Sequence, residues 1–444
     1  MRVGVKRVGN PGGAWSSFRA NRSCLISEKV QPVSNSGILL LNAGSSSLKG
    51  SWFEWPAGRL RFTAHADWAG DVTRWKLSRA EEQAGAEQAW EQVAWRGPVS
   101  AVGALLAGLR RQGVRLDREL AAIGHRVVHG GDFFQATRMD RETRDQIQRL
   151  VELAPLHNQP CLEVLAAVEG ELPHVPQIAV FDSAFHATLP DEVRTYPVPW
   201  EWTEAWKIRR YGFHGLSHAW GSRRAAEMLA ASGYSPPAEA ATELRLIVCH
   251  LGHGCSATAV RGGASIDTTM GFTPLEGLMM ATRSGSIDPG ITPYVEHRFG
   301  LTSSQTEELL HRGSGLAGVS GISADLRQLW PAAEQGHVRA KLAIAMYVQR
   351  IRGAIGSLAA SLGGLDALVF TAGVGENSWL LRKLVCERFD FLGLHVDDEV
   401  NVRAEPDVDI AVPDARARIL VIKSREDLEM LRQVRELIEG ANRA

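Results

Sequence analysis

The chain has 444 residues, 45% hydrophobic and 22% charged, which is long enough for two or three packed domains rather than one core. Its 49 basic residues stand against 50 acidic ones, a net charge of −1. That balance excludes the basic excess of a nucleic-acid binder and leaves any anionic ligand to a few placed cations. No apolar run approaches the roughly eighteen residues of a bilayer span, so no membrane partner is expected. Five scattered cysteines without a C-x-x-C pair read as reduced thiols in a cytoplasmic protein.

Residues 1–36 are rich in Gly, Ser, Arg and Val, carry no acid before Glu28 and show no sustained period. They read as a disordered N-terminal extension, since Pro11, Gly12 and Gly13 would break an amphipathic targeting helix. Ordered structure is expected from the apolar run Gly37–Leu41, followed by the small-residue turn Asn42–Ser47 and a second strand, Leu48–Phe53. Helical spacing follows at Arg141–Leu153, and Gln177–Phe181 reads as a buried strand. A further helix is expected at Ala219–Ala231, and Ser235–Thr242 reads as a surface loop. The strand–turn–strand grammar then recurs at Leu246–Leu251, Gly252–Ser256 and Ala257–Val260, which suggests a duplicated domain. Next come a long helix at Leu342–Leu362, a strand ending in the glycine turn Gly373–Ser378, and a helical stretch Trp379–Arg388. The strand Ile419–Ile422 follows, and Ser424 with Asp427 reads as a capping box that opens a last helix running to about Ile438. Strands alternating with helices argue for α/β layers.

Six segments carry chemistry. In Asn42–Lys49 small residues leave backbone N–H groups free, hydroxyls add donors and Lys49 supplies charge, though the order is not a Walker A loop. In Gly124–Gly131, Arg126 sits among apolar residues and is costly to bury without an anion, while His125 and His129 read as core or supporting histidines. Asp182 follows the strand Gln177–Phe181, at the strand end where open α/β sheets bind ligands. His214 lies between glycines, and His218 follows four residues later. The stretch Met270–Gly290, long and rich in Gly, Pro and Thr, carries Arg283 as a second clamp for phosphate or carboxylate. Gly373–Ser378 opens a helix whose backbone donors suit a phosphate or nucleotide, and Glu426 lies in the first turn of the last helix. Each segment alone also admits a plain structural explanation: a polar turn, an ion-paired arginine, a capping aspartate, a helix-dipole contact. Together they supply two arginines, a histidine, two acids and three glycine turns without a metal cage, a collection that suits phosphoryl transfer.

The runs NAGSSSLK at 42–49, GHRVVHGG at 124–131, APLHN at 154–158, FDSAFH at 181–186 and YGFHGLSH at 211–218 closely resemble the acetate kinase family. So do TPLEGLMMATRSGSIDPG at 273–290, GVSGISADLR at 318–327 and FTAGVGENS at 370–378, all in the family's order over roughly residues 37–440. That family is part of the superfamily of acetate and sugar kinases, heat-shock chaperones and actin.

The resemblance implies a duplicated ribonuclease-H-like α/β fold with the site in the cleft between the halves. The expected division is 37–183 with the helix 425–440 as one domain, and 184–424 as the other. It implies a homodimer and direct in-line transfer from ATP to acetate or propionate, with ATP and ADP as partners and Mg²⁺, replaceable by Mn²⁺, as cofactor. Arg126, Asp182, His214 and Arg283 would be catalytic, and Val128, Leu156, Phe213 and Pro274 would line the acyl pocket beside Arg126. Ser45, Lys49, His250, Gly252, His253 and Gly254 would face phosphate. Asp325, Leu326, Arg327, Gly373, Val374, Gly375, Glu376 and Asn377 would lie on the nucleotide side, and Asn42 and Glu426 at the metal. Two departures stand out: His253 where the family has asparagine, and Ser424-Arg425-Glu426-Asp427 where it has T-N-E-E. They leave room for a catalytically impaired nucleotide-binding or regulatory homologue, and the pocket leaves room for a longer acid or another phosphoryl donor.

Overall fold

The computed structural model describes residues 36–81, 89–234 and 243–443, without the side chains of 155, 156 and 441–443. The N-terminal extension up to residue 35, the loop 235–242 and the Leu156 side chain therefore lie outside the described residues.

The first sheet is built from β1 (Ser36–Ala43), β2 (Ser47–Trp55), β3 (Leu60–Asp67), β4 (Thr73–Arg79), β5 (Glu91–Val93), β6 (Leu120–Val127), β7 (Thr137–Arg138) and β8 (Gln177–Phe181). The second comprises β9 (Arg245–Leu251), β10 (Cys255–Arg261), β11 (Ala264–Thr268), β12 (Ala367–Thr371), β13 (Val408–Asp409) and β14 (Arg418–Val421). Their orders are β5-β4-β3-β2-β1-β6-β8-β7 and β11-β10-β9-β12-β14-β13. The shared unit is β3-β2-β1-β6-β8 in one and β11-β10-β9-β12-β14 in the other. In each, a three-stranded meander is antiparallel and two later strands join parallel to its first member. This repeated topology is the duplicated ribonuclease-H-like fold, and it puts the β1–β2 and β9–β10 turns at matching places.

Each sheet buries both faces, which is why its central strands read as unbroken apolar runs. Leu39, Leu41 and Leu48 pack against Leu105, Leu106 and Leu109 of the helix Pro98–Arg111. On the opposite face Ile38, Leu40 and Phe53 meet Met430, Leu431 and Val434 of the last helix, Glu426–Arg443. In the second sheet, Ile247, Cys249 and Phe370 pack on Ile351, Ile355 and Leu358 of the helix Val338–Leu362. Val248, Val369 and Leu420 face Ala225 and Leu229 of the helix Gly215–Ala231. Each such aliphatic side chain contributes about 1.5–3 kcal/mol on full burial. The last helix also touches the helix Gly215–Ala231, so the chain's end links the two layers.

Several boundaries differ from expectation. The helices begin at Gly215 and Val338, earlier than apolar spacing indicates, because each first turn carries only one large apolar residue, Leu216 or Val338. The turn after β12 is itself helical from Ala372 to Asn377, with a second helix at Trp379–Cys386. The expected capping box at Ser424 is not formed. The Ser424 N–H donates to Glu376 Oε1 (2.9 Å), and the Asp427 carboxylate is held by Arg425 at 2.9 and 3.0 Å. Among the described residues, no helix is long and apolar enough to cross a membrane.

Candidate active site

The β1–β2 turn is a tight loop: the Gly44 N–H donates to Ser47 O at 2.8 Å. Trp68, just after β3, clamps it with two donors, its N–H to Ser46 O (2.9 Å) and its indole N–H to Ser45 O (2.9 Å). Asn42 and Lys49 are cross-strand partners, so both side chains leave the sheet on one side. Lys49 is exposed and has no carboxylate partner among the described residues.

Beside this turn, β6 delivers Arg126 at its carboxyl end. Its Nη2 donates to Asp182 Oδ2 at 2.6 Å, and its Nη1 lies 3.5 Å from Glu426 Oε2 and 3.4 Å from Asn42 Oδ1. Burial opposes the guanidinium's charge, but Asp182 and Glu426 more than offset this and raise its pKa above the ordinary arginine value. Asp182 is fully buried and works in two directions, because its Oδ1 also accepts from the Leu216 N–H (3.2 Å) at the start of the helix Gly215–Ala231. The backbone contact there is close. The Gly215 N–H donates to Asp182 O at 3.0 Å, and a Cβ on Gly215 would lie 2.0 Å from that oxygen. Glycine between His214 and Leu216 is thus required by the approach of the first sheet to the second half's leading helix.

His214 caps that helix in the left-handed conformation, φ 57°. Its Nδ1 lies 2.9 Å from Ser256 Oγ and its ring stacks on His250 at 4.2 Å between centroids. Burial, then the neighbouring His250, His218, Arg126 and Arg283, hold its pKa well below the ordinary value, so the imidazole is neutral. His250 is fixed in turn through Nδ1 to Ser217 Oγ, 2.7 Å.

Arg283 enters from the opposite wall, on the irregular stretch 273–290. Its Nη1 donates to Pro274 O at 3.2 Å, and no carboxylate among the described residues pairs with it. Burial pushes its pKa down, which marks it as a cation short of a counter-charge. Gly254 sits between these two side chains: a Cβ there would stand 3.2 Å from His214 Nε2 and 3.6 Å from Arg283 Nη1.

These groups line one open chamber of about 960 Å³, together with Ser45, Lys49, Val128, Phe213, His253 and Pro274. Val128 and Phe213 are buried and give it an apolar end. A second chamber of about 530 Å³ shares Asn42, Lys49, Arg126 and His214 and adds His250, Glu376, Glu426 and Asp427. A third, about 790 Å³, is lined by Gly252, His253, Asp325, Leu326, Arg327, Gly373, Val374 and Asn377 with Trp330 and Trp379. His253 borders both the first and third chambers, and Gly373 the second and third, so the three chambers adjoin one another. Gly375 lines none of them; it is buried and its carbonyl accepts from Arg382 Nη1 at 2.9 Å. Asp325 caps the helix Leu326–Glu334 and is gripped by Arg327 at 2.6 Å, with both at the cleft's rim.

His125 and His129 are core residues, as expected: His125 Nε2 pairs with Gln177 Oε1 at 2.8 Å, and both pKa values are lowered to about 4 by burial. Chamber residues not singled out from sequence include His157, Thr282 and His311, as well as Trp68, Arg96 and Arg312. His157 lies within the APLHN run, which was the available signal; the pair 282 and 311 meets only through folding, where Thr282 Oγ1 donates to His311 O at 3.0 Å. Among the described residues no group of three or more His, Cys, Asp and Glu side chains is placed to hold a metal ion by itself.

A cleft between two ribonuclease-H-like halves, lined by glycine turns and unpaired cations, defines a phosphotransferase of the actin-like ATPase fold. The chain belongs to the acetokinase family, whose model matches residues 37–432. It is 46% identical over 400 residues to an acetate kinase of Rippkaea orientalis, covering 88% of this chain and 96% of that protein. Among solved structures it is similar to the acetate kinase of Porphyromonas gingivalis, with a TM-score of 0.80 and 35% identity over 91% of this chain and all of that one. A propionate kinase from Francisella tularensis matches with a TM-score of 0.81 and 34% identity, covering 90% and 98% of the two chains.

Proposed function

We propose that the chain is an acetate kinase, which transfers the γ-phosphoryl group of ATP reversibly to acetate, or to propionate, forming an acyl phosphate and ADP. The observation that carries this reading is Arg283, a half-buried guanidinium without a carboxylate partner among the described residues, facing an apolar-ended chamber across from the already neutralised Arg126. An anion with a short alkyl group and a planar phosphoryl in flight would supply the missing charge.

In this reading Lys49, Ser45 and Arg283 hold the phosphoryl group, Arg126 orients the acceptor carboxylate, and Val128, Phe213 and Pro274 enclose its alkyl end. Neutral His214 donates to an equatorial oxygen, so no proton need be lost during transfer. Asp182 keeps Arg126 in place and ties it to the helix that carries His214. The rim formed by Asp325–Arg327 with Gly373, Val374 and Asn377 takes the nucleoside. An arginine clamp of this kind is worth about 10³ or more in rate.

Asn42 and Glu426 fit a magnesium ion: both present hard oxygens to the 530 Å³ chamber, and Glu426 is held only at 3.5 Å by Arg126. Magnesium needs just one or two carboxylates, with phosphates and water completing its shell. When bound, the ion supplies neutralisation of the β- and γ-phosphate charge. The added cation Arg425 does not oppose this, because Asp427 binds it bidentately. We take the halves as 37–183 with 425–440, and 184–424, in a cytoplasmic homodimer.

The test is trapping of acyl phosphate as hydroxamate with Mg-ATP and acetate, propionate or butyrate in parallel. Acetate or propionate as best substrate supports the reading. No product from folded protein that binds ATP would refute it and favour a regulatory homologue.

A further inference from the structure

A neutral histidine donates from only one ring nitrogen, so the role given to His214 requires a particular tautomer. His214 and His218 stand four apart at the start of the helix Gly215–Ala231, which puts both rings on one face. Between them projects Ser256 of β10. Its Oγ is 2.9 Å from His214 Nδ1 and 2.7 Å from His218 Nε2. Ser256 is fully buried, and a hydroxyl carries one proton, so it donates to one ring and accepts from the other.

Two arrangements satisfy this rule. In the first, the His218 Nε2–H donates to Ser256, whose O–H donates to His214 Nδ1, leaving the proton of His214 on Nε2. In the second, every donor and acceptor is reversed, and the remaining proton of His218 sits on Nδ1. That Nδ1 is buried and has no hydrogen-bond partner among the described residues. The second arrangement therefore strands a buried N–H, whereas the first leaves only a bare lone pair, the less costly vacancy. His186, the ring neighbouring His218, offers no alternative partner. Its Nε2 donates to Phe213 O (3.0 Å), and its Nδ1 is occupied by Ser265 Oγ (2.9 Å).

We infer that His218 and Ser256 form a fixed proton-ordering relay that holds His214 as the Nε2–H tautomer, aiming a donor at the cleft beside Gly254 and Arg283. Both are positioning residues, and the inference rests on the kinase reading only for what the donor meets. The relay ties the leading helix of the second half to its β9–β10 hairpin, so the donor's direction is set by the fold and not by the ligand.

The experiment is nitrogen NMR of the full chain carrying ¹⁵N-labelled histidine, with His214 assigned by its loss in His214→Gln, alongside steady-state kinetics. The wild type should show His214 with a protonated Nε2 and a bare Nδ1. Ser256→Ala should mix the tautomers and lower kcat by about 10²-fold, with KM for Mg-ATP and acetate within about threefold. Ser256→Thr, which keeps the hydroxyl, should restore the tautomer and most of kcat. A protonated Nδ1 in the wild type, or an unchanged tautomer in Ser256→Ala, would overturn the relay. The wild-type spectrum decides even if a variant fails to fold. It is also independent of turnover, so a protein without kinase activity would sink the functional reading alone.

Discussion

The β1–β2 and β9–β10 turns occupy the same place in their sheets, yet they are built under opposite constraints. The first is roomy: a Cβ on Gly44 would meet nothing closer than Ser47 O at 3.8 Å, and the loop keeps its shape through the two hydrogen bonds from Trp68. The second is crowded: a Cβ on Gly254 would stand 3.2 Å from His214 and 3.6 Å from Arg283, and the Gly254 carbonyl accepts from the Gly252 N–H at 3.0 Å. A duplicated backbone has thus been given a division of labour. One turn presents an exposed lysine and hydroxyls to the chamber; the other packs between a histidine and an arginine.

That contrast can be broken at its strongest point first. Arg283→Ala should lower kcat by about 10³-fold or more in the hydroxamate assay, with little loss of stability because no buried carboxylate is orphaned. Asp182→Ala should instead cost stability as well as activity. It removes the closest partner of Arg126, and breaking such a buried pair costs about 3–5 kcal/mol in urea unfolding. The two turns should then respond unequally to the same change. Gly254→Ala should reduce kcat about tenfold or more by displacing His214 or Arg283, whereas Gly44→Ala should leave it within about twofold. Equal responses would contradict the division of labour.

A separate effect is on the pH dependence of stability. Burial holds His125, His129 and His186 near a pKa of about 4, below the ordinary 6.5. Above pH 6.5 these rings are neutral in both folded and unfolded chains, and they add no pH dependence. Between 6.5 and about 4 the unfolded chain takes up protons that the folded one refuses, so stability should fall as pH falls. The slope approaches about 1.4 kcal/mol per pH unit for each ring, read from unfolding midpoints across that window.

Much of the central fold was legible because buried strands are written as apolar runs: Gln177–Phe181 appears in the structure with the same limits. Both hairpins and the duplication were readable for the same reason. Edge strands were not, since β5 and β7 are only three and two residues long and half-exposed. Helix starts were read late because Gly215–His218 and Val338–Lys341 each carry a single large apolar residue, Leu216 or Val338, too few to set a period. At the site, the residues between Asn42 and Glu426 are brought together by sheet topology, which no local pattern encodes, so their grouping came from the family resemblance. The contact of Ser256 with His214 and His218 is long-range in the same way. The capping box failed because Arg425 competes for Asp427, a local charge effect that the motif ignores.

The central claim is that the two unlike turns act on one transferred group. The direct test is a double-mutant cycle between Lys49→Met, on the first hairpin, and Arg283→Ala, on the wall facing the second, measured as kcat/KM for acyl phosphate formation. If both cations stabilise the same phosphoryl group, the double variant should lose less than the product of the single losses, with a coupling of about 1 kcal/mol or more. Losses that multiply to within about 0.5 kcal/mol would mean that the two halves act on separate events, and the account would be contradicted.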